Sequence, residues 1–242
     1  MLPETVWEGA MVPRSRILES LAERALSYVD RGNAVGLGTG HAATAFIDAL
    51  VRQVRGGFRV RAVATSVESA RRAKAGGIRV LTLDECPRLD VVVDGADEVS
   101  PDLDLIKGYG GALVREKIVA SASRRRLILV TEEKLVPALG SRGKLPVEVL
   151  PFAATVVREK LAELGYPSKA RRAGRSLFRT DNGNLILDCT VKKLRDPGGV
   201  DDTLRAIPGV VGTGLFVGMA TMVLVGRGDG AVDVLKRLPG RT

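Results

Sequence analysis

Acidic residues concentrate where an apolar segment ends, in the stretch 91-VVVDGADEV-99. Asp94 and Asp97 follow three valines that are typical of a buried strand. Lys107 and Glu116 come next, on either side of a glycine-rich segment. A carboxylate that accepts a proton, with an ammonium group that stabilises a developing oxyanion, can move a proton next to a carbonyl group. These four side chains predict a proton-transfer site that needs neither histidine nor metal.

Glu116 is the candidate general base. Its predicted helix, residues 112–123, places small or apolar residues on the same face; these are Ala112, Val119, Ala120 and Ser123. Partial burial would raise the pKa of a glutamate towards neutrality, as a base requires. The alternative is a surface cluster of Glu116 with Arg115 and Lys117. For Asp94 and Asp97 the alternative is that they only cap a turn or a helix.

A second glycine-rich turn lies earlier, in 34-AVGLGTGHAATAFIDAL-50, where a strand leads into a helix. Glycines allow close approach of an anion, and free N–H groups at a helix start point towards it. The segment lacks the P-loop pattern, and His41 occupies the last glycine position of the dinucleotide pattern GxGxxG. The turn therefore predicts a phosphate or sugar-phosphate site, and a purely structural turn is the alternative.

Alternating strands and helices must position these residues. Helices are predicted at 14–29, 41–54, 67–75 and 112–123, and strands at 34–37, 59–64, 78–83, 89–93 and 126–131. This order predicts an α/β fold, a Rossmann-like and mostly parallel sheet with helices on both faces. Ligands gather outside the carboxyl ends of such strands, which is where Asp94 and Asp97 fall.

The pattern changes near residue 147. A strand, a helix at 153–164, a hairpin around 181-DNGN-184, a helix at 200–206 and a strand at 210–216 follow the order βαββαβ. We predict a small inserted ferredoxin-like α+β domain at 147–217. Residues 1–146 with 218–242 would form the catalytic α/β domain, completed by a strand at 220–225 and a last helix at 230–238.

Composition excludes several classes of protein. The 242 residues carry a net charge of +9, but the excess is scattered, and few aromatic residues are present to stack bases, so no nucleic acid partner is predicted. A single histidine, His41, excludes histidine-clustered metal sites, and we predict no metal and no cofactor. Cys86 and Cys189 are predicted to be free thiols in a reducing cytoplasm. Neither a signal peptide nor a membrane-spanning segment is recognisable.

Several motifs together resemble type A ribose-5-phosphate isomerase over nearly the whole chain. They are GLGTG at 36–40, DGADE at 94–98, KGxG at 107–110, REKI at 115–118, LPVEV at 145–149, TDNGN at 180–184 and IPGVV at 207–211. The succession of DGADE, KGxGxAL and REKI is the specific part of the resemblance.

The resemblance implies interconversion of D-ribose 5-phosphate and D-ribulose 5-phosphate, in the non-oxidative pentose phosphate pathway, through a cis-enediolate. Glu116 would move the proton between C1 and C2, and Asp94 and Asp97 would hold sugar hydroxyls and assist ring opening. Lys107 and the loop after it would stabilise the enediolate. The implied substrate-binding residues are Gly38, Thr39, Gly40, His41, Ala42, Asp94, Gly95, Ala96, Asp97, Lys107, Gly108, Tyr109 and Gly110. A cytoplasmic homodimer or homotetramer is also implied.

Three positions depart from the family pattern. The substrate loop usually reads GTGST, whereas His41 and Ala42 stand at its end here. Tyr109 replaces the middle glycine of KGGG. The family often has a lysine shortly before LPVEV, in a run like GKFPLPVEV. An ungapped count puts Arg142 at the position of that lysine, while Lys144 is the nearby lysine. Either cation would suit a phosphate, and the sequence does not decide between them.

Three alternatives remain beside the active isomerase. An amino-sugar phosphate isomerase or deaminase would be expected to use a second histidine, which is absent. A sugar-phosphate sensor of a transcription regulator would need a DNA-binding module, and about 13 residues precede the first predicted helix. The third alternative is an isomerase that folds but has weak catalytic activity because its substrate loop is altered.

Overall fold

The computed structural model describes residues 12–237. The helices are α1 (Arg14–Leu26), α2 (His41–Arg55), α3 (Val67–Ala75), α4 (Leu113–Ser121), α5 (Ala154–Glu163) and α6 (Pro197–Arg205). The strands are β1 (Ala34–Leu37), β2 (Arg61–Ala64), β3 (Arg79–Val80), β4 (Leu89–Gly95), β5 (Glu98–Val99), β6 (Leu105–Ile106), β7 (Ser123–Thr131), β8 (Lys144–Val149), β9 (Ser168–Ala170), β10 (Arg172–Ala173), β11 (Ser176–Leu177), β12 (Leu185–Thr190), β13 (Val210–Thr213), β14 (Leu215–Phe216), β15 (Met222–Gly226) and β16 (Val232–Lys236). The N-terminal residues on which the signal-peptide prediction depends lie outside the described range.

The main sheet has the strand order β16-β15-β7-β4-β1-β2-β3, and its pairs are parallel except for β16 with β15. Successive residues of β4 face opposite sides, as strand geometry requires. Val91 and Val93 pack with α1 and α2, whereas Val92 packs with Val119 of α4. Helices therefore cover both faces, and the predicted Rossmann-like α/β class is confirmed.

The predicted last helix, 230–238, is wrong as far as residue 237, where the described range ends. Residues Val232–Lys236 form β16, antiparallel to β15. The turn that precedes it contains Asp229-Gly230, a pair typical of hairpins, and the amide of Arg227 donates to the carbonyl of Ala231 across it. Val232 and Val234 then face one side of the sheet and Leu235 the other. A strand alternation over five residues was mistaken for a helical pattern.

A second sheet, of order β13-β8-β12-β9, is wholly antiparallel and packs with α5 and α6. This is the arrangement expected for a βαββαβ unit. The predicted strand 210–216 is split in two. Its first part, β13, belongs to this sheet, whereas β14 pairs with β6 in a third, small sheet that also contains β5. The domain boundaries proposed from the sequence, 147–217 within the rest, stay a prediction.

Topology brings the candidate residues to one edge of the main sheet. The strands β1, β4 and β7 are neighbours and parallel, so the segments after Leu37, Gly95 and Thr131 emerge side by side. Over residues 12–237, the helices are too short or too polar to cross a membrane.

Candidate active site

The turn after β1 begins the site. The amide of Gly38 donates to the carbonyl of Val93 at 2.9 Å, so the turn continues the sheet beside β4. Thr39 and Thr65 share a hydroxyl hydrogen bond of 2.7 Å. Gly40 has a φ of 101°, which only glycine adopts easily, and it leads directly into α2. The amides of His41, Ala42 and Ala43, in the first turn of α2, have no side-chain cap and no acceptor within the described residues, so they are available to an anion.

Asp94, at the end of β4, is only 3% exposed. Its Oδ1 accepts from the amides of Thr39, at 3.1 Å, and Gly95, at 2.7 Å. A Cβ atom at position 38 would overlap this carboxylate, so Gly38 is required by the close approach of Asp94. Burial raises the pKa of the Asp94 carboxyl, and the Lys107 ammonium opposes that rise. Asp94 therefore contacts both the glycine turn, through the Thr39 amide, and the Lys107 ammonium.

Lys107 lies between β6 and α4 and is 3% exposed. Its Nζ donates to the carbonyl of Gly95 and lies 3.1 Å from Oδ2 of Asp94 and 3.4 Å from Oε1 of Glu116. Burial by itself would lower the pKa of the Lys107 ammonium, but Asp94, Glu116 and Asp97 together raise it above its ordinary value. A fixed positive charge therefore stands between the two buried carboxyl groups.

Glu116, on α4, is 5% exposed, and its Oε2 has no hydrogen-bond partner among the described residues. Burial raises the pKa of Glu116 to about 8; Lys107 opposes the rise, and Asp94 adds to it. A carboxyl group with this pKa is ready to exchange a proton near neutral pH. The surface-cluster alternative fails, because Arg115 instead binds Asn182 and the Asp181 carbonyl.

The two remaining acids of DGADE differ in their contacts. Asp97 is half-buried and accepts the amide of Tyr109 at 2.9 Å, which ties it to the loop after Lys107. Glu98 is fully buried and accepts the amides of Gly140 and Arg142, both at 2.7 Å. Asp97 thus belongs to the site, whereas Glu98 holds the loop that precedes β8.

These groups surround a cavity of about 410 Å³. The predicted residues that line it are Thr39, Gly40, His41, Ala42, Gly95, Ala96, Asp97, Lys107, Gly108, Tyr109, Gly110 and Glu116. Gly38 and Asp94 lie directly behind this lining, in contact with Thr39 and Lys107. The structure thus brings the predicted catalytic side chains to one place.

Arg142 and Lys144 require a correction, because neither lines the cavity. The guanidinium of Arg142 donates to the carbonyl of Glu133. The ammonium of Lys144 lies 3.2 Å from Asp188 and 4.7 Å from the centre of the Tyr109 ring. Both cations are occupied by other partners, so neither is placed to meet a phosphate in this cavity.

Two other cations line the cavity and were missed by the sequence analysis, Arg14 and Lys134. Lys134 lies in the single helical turn that follows β7, and the strand-end rule would have identified it. Arg14 begins α1, and no local signal pointed to it. Within residues 12–237, no group of three or more His, Cys, Asp or Glu side chains is arranged to hold a metal ion.

Comparison with known proteins shows which family the chain resembles. The family model described as ribose 5-phosphate isomerase A (phosphoriboisomerase A) matches residues 61–230. A ribose-5-phosphate isomerase A of Gloeobacter violaceus is 46% identical over 218 residues, covering 90% of this chain and 94% of the relative. One of Thermomicrobium roseum is 44% identical over 224 residues, covering 92% of this chain and 94% of the relative.

Solved structures of ribose-5-phosphate isomerases also resemble the chain in fold. A D-ribose-5-phosphate isomerase in complex with phospho-erythronic acid superimposes with a TM-score of 0.89 at 34% identity, covering 93% of this chain and all of that one. Ribose 5-phosphate isomerase A of Methanocaldococcus jannaschii gives a TM-score of 0.88 at 37% identity, also covering 93% of this chain and all of that one. The site geometry, the sequence matches and these superpositions lead to one conclusion: the chain belongs to the ribose 5-phosphate isomerase A family.

Proposed function

We propose that this chain interconverts D-ribose 5-phosphate and D-ribulose 5-phosphate through a cis-enediolate, with Glu116 as general base. The observation that carries the proposal is the buried Glu116 carboxyl, with a pKa of about 8, held 3.4 Å from the Lys107 ammonium at the cavity wall. This reaction would place the enzyme in the non-oxidative pentose phosphate pathway.

The proposed steps balance without an external reagent. In the open-chain aldose, Glu116 removes the proton from C2, and the electron pair of that bond forms the C1–C2 double bond. The C1 carbonyl oxygen becomes the enediolate oxygen, whose charge Lys107 stabilises. A proton moves from the C2 hydroxyl to O1, and the electron pair of the C1–C2 double bond takes the proton back from Glu116 at C1. A C2 carbonyl results, and the base is regenerated.

Asp94 and Asp97 are proposed to orient sugar hydroxyls and to assist opening of the furanose ring. Asp97 is half-buried at the cavity wall; its Oδ2 accepts from the Tyr109 amide, and its Oδ1 has no hydrogen-bond partner among the described residues. Asp94 is further back, where its charge fixes Lys107 and the glycine turn. A hydroxyl of the substrate would therefore meet Asp97 first.

The phosphate is proposed to bind at the start of α2. Uncapped amides and the positive end of the helix dipole lie there, and the two cations Arg14 and Lys134 line the same cavity as Gly40 and His41. The hydroxyls that the family pattern would supply at positions 41 and 42 are replaced by an imidazole and a methyl group. Backbone donors and these cations would then carry most of the phosphate binding.

A solved relative is in complex with phospho-erythronic acid, and we propose that this molecule binds in the cavity of the present chain. Its carboxylate carries negative charge on two neighbouring oxygens, which resembles the enediolate more closely than the sugar does. We therefore expect it to inhibit competitively, with the carboxylate beside Lys107 and the phosphate at α2.

The direct test is an isomerase assay with ribose 5-phosphate, run with and without a chelator. We expect turnover in both, in proportion to enzyme concentration. Absence of turnover with a folded protein would favour the weakened-isomerase alternative, and loss of turnover on chelation would contradict metal-free proton transfer. Parallel assays with arabinose 5-phosphate and xylulose 5-phosphate would show whether His41 changes the preference among pentose phosphates.

Replacement of Lys134 by Met is expected to raise KM about tenfold while kcat changes little, because a phosphate contact present throughout the reaction contributes uniform binding. Inhibition by inorganic phosphate should weaken by a similar factor. The matched control is Arg142→Met, which should leave both constants unchanged, because Arg142 does not line the cavity. The opposite outcome would restore the sequence-based assignment of the phosphate cation.

We also propose a homo-oligomer, a dimer or tetramer. The support is an exposed apolar set around the ends of β8 and β13: Leu150 (47% exposed), Phe152 (102%), Val156 (60%) and Val211 (40%). Apolar side chains grouped in this way commonly mark protein contacts. Sedimentation equilibrium is expected to give a multiple of 25.7 kDa, and a monomer at assay concentration would contradict the proposal. The cytoplasmic location stays a prediction.

A further inference from the structure

Arg171 directly follows β9, a strand of the second sheet. It contacts one side of the loop that follows Lys107. The Arg171 side chain is 11% exposed. Its Nη1 donates to two successive carbonyls, those of Gly108 at 2.9 Å and Tyr109 at 3.0 Å. The same guanidinium donates to the Asp188 carboxylate from Nε at 3.0 Å and from Nη2 at 2.5 Å. A planar, always-charged fork is therefore fixed against the backbone of the site.

The surroundings hold Arg171 rigidly in place. Asp188 receives Lys144 as a second cation at 3.2 Å, and Lys144 lies 4.7 Å from the centre of the Tyr109 ring. The hydroxyl of Tyr109 donates to the carbonyl of Lys144 at 3.2 Å. The ring of Phe178 packs between Arg171, at 5.8 Å, and Gly111, where a Cβ atom would collide with it. The side of the loop that faces away from the cavity is thus in contact with a connected set of side chains.

This arrangement determines where the amides of the loop point. In a trans peptide the C=O and N–H bonds point in opposite directions, and no cis peptide occurs within residues 12–237. The carbonyl of Tyr109 points to Arg171, which does not line the cavity, so the amide of Gly110 points to the opposite side. Gly110 itself lines the cavity, and its amide has no acceptor among the described residues. The neighbouring amide, that of Tyr109, already donates a hydrogen bond to the Asp97 carboxylate.

We propose that Arg171 is a positioning residue of the isomerisation, which aims the Gly110 amide at the enediolate oxygen beside Lys107. This inference rests on the proposed function. Without Arg171, the peptide between Tyr109 and Gly110 is free to rotate, and the oxyanion loses one preorganised donor. The phosphate site at α2 shares no contact with Arg171 and keeps its affinity.

The test compares Arg171→Met, Arg171→Lys and Asp188→Asn with the wild type, and Arg172→Met is the matched control. Arg172 is the next residue, is exposed, and its guanidinium donates to the carbonyl of Arg175 rather than to the loop after Lys107. We expect Arg171→Met to lower kcat by about 10- to 100-fold, in the range for a lost oxyanion donor or a small misplacement. Arg171→Lys and Asp188→Asn should give smaller losses, because Lys keeps a cationic donor and Asn keeps an acceptor for the Arg171 guanidinium.

Two inhibitors separate positioning from general damage. Inhibition by phosphoerythronic acid should weaken in Arg171→Met by about the factor lost in kcat/KM, because its carboxylate occupies the enediolate position. Inhibition by inorganic phosphate should stay at the wild-type value. Equal weakening of both inhibitors, or a kcat within about twofold of the wild type, overturns the proposal.

Failure of the inference is distinguishable from failure of the proposed function. A wild-type protein without isomerase activity would reject the function; the binding of the two ligands, measured by calorimetry, would then decide about Arg171 alone. Thermal unfolding checks each variant. If Arg171→Met does not fold, Arg171→Lys and Asp188→Asn decide the question by the same selective loss of phosphoerythronic acid binding.

Discussion

Replacement of Glu116 by Gln is expected to lower kcat for ribose 5-phosphate by about 10²-fold or more, the cost of losing a general base. Glutamine keeps the shape and the hydrogen-bonding capacity of the side chain but cannot accept the C2 proton. KM should change little, because the Glu116 carboxylate lowers the energy of the transition state and adds little to substrate binding. Initial rates over a range of substrate concentrations separate the two constants.

The matched control for this variant is Glu159→Gln, an exposed position on α5 far along the chain from the site. It should behave as the wild type. A Glu116→Gln enzyme with kcat within a few-fold of wild type would show that another group moves the proton; Asp94 and Asp97 would then be examined in the same way.

The pH dependence gives a second check on Glu116. The ionised carboxylate is the active form, and burial raises its pKa to about 8. We therefore expect kcat/KM to rise with pH until about pH 8 and then to level off, and this ascending limb should be absent from the residual activity of Glu116→Gln. A limb centred near pH 4.5, the ordinary value of the group, would contradict the raised pKa.

The raised pKa of Glu116 also predicts how the free energy of unfolding depends on pH. The folded-state pKa of Glu116 lies above its ordinary value, so the native protein binds this proton more tightly than the unfolded chain does. The stabilisation is complete below about pH 4.5 and is lost as pH rises through about 8. Glu116→Gln should lack this decline, so its unfolding free energy at pH 8 to 9 should not be lower than that of the wild type.

Replacement of Lys107 by Met is expected to lower kcat by about 10²- to 10³-fold, because the enediolate loses its charged stabiliser. It should also destabilise the fold. Asp94 and Glu116 would remain buried without their cation, and removing one partner of a buried ion pair costs about 3–5 kcal/mol. Steady-state kinetics and denaturant unfolding measure the two effects on the same protein.

A double variant separates these two roles of Lys107. Adding Asp94→Asn to Lys107→Met removes one stranded charge, so part of the stability should return while kcat stays low. Lys74→Met, at an exposed position of α3, is the control for loss of a lysine and should change neither quantity. Near-normal turnover in Lys107→Met would mean that backbone amides alone stabilise the enediolate.

The sequence predicted the elements around the site well for a physical reason. Buried parallel strands are continuous apolar runs, and their carboxyl ends must meet at one edge of the sheet. The positions of Asp94, Asp97 and the glycine turn followed from that rule, and small residues around Glu116 indicated a buried face. The final strand, β16, was missed because five residues next to a hairpin turn satisfy a strand and a helix pattern almost equally.

Long side chains were the least predictable part of the site. The cation nearest to the motif in sequence, Arg142, donates instead to the Glu133 carbonyl, whereas Arg14 reaches the cavity from the first helix. Glu98 belongs to the same motif as Asp94, yet it binds amides more than 40 residues away along the chain. Which partner such a group meets depends on packing between distant segments, and sequence spacing carries no information about it.

The sequence by itself determined the α/β class, the family resemblance and the identity of the acids, lysine and glycines that form the site. These properties depend on local periodicity, on turn chemistry and on short motifs. Only the tertiary structure decided that Glu116 is buried beside Lys107, that Arg14 and Lys134 line the cavity in addition to Lys107, and that Arg171 contacts the loop of Gly110. Burial, pKa and peptide orientation arise from contacts between segments far apart in the chain, and those contacts exist only once the sheets have packed.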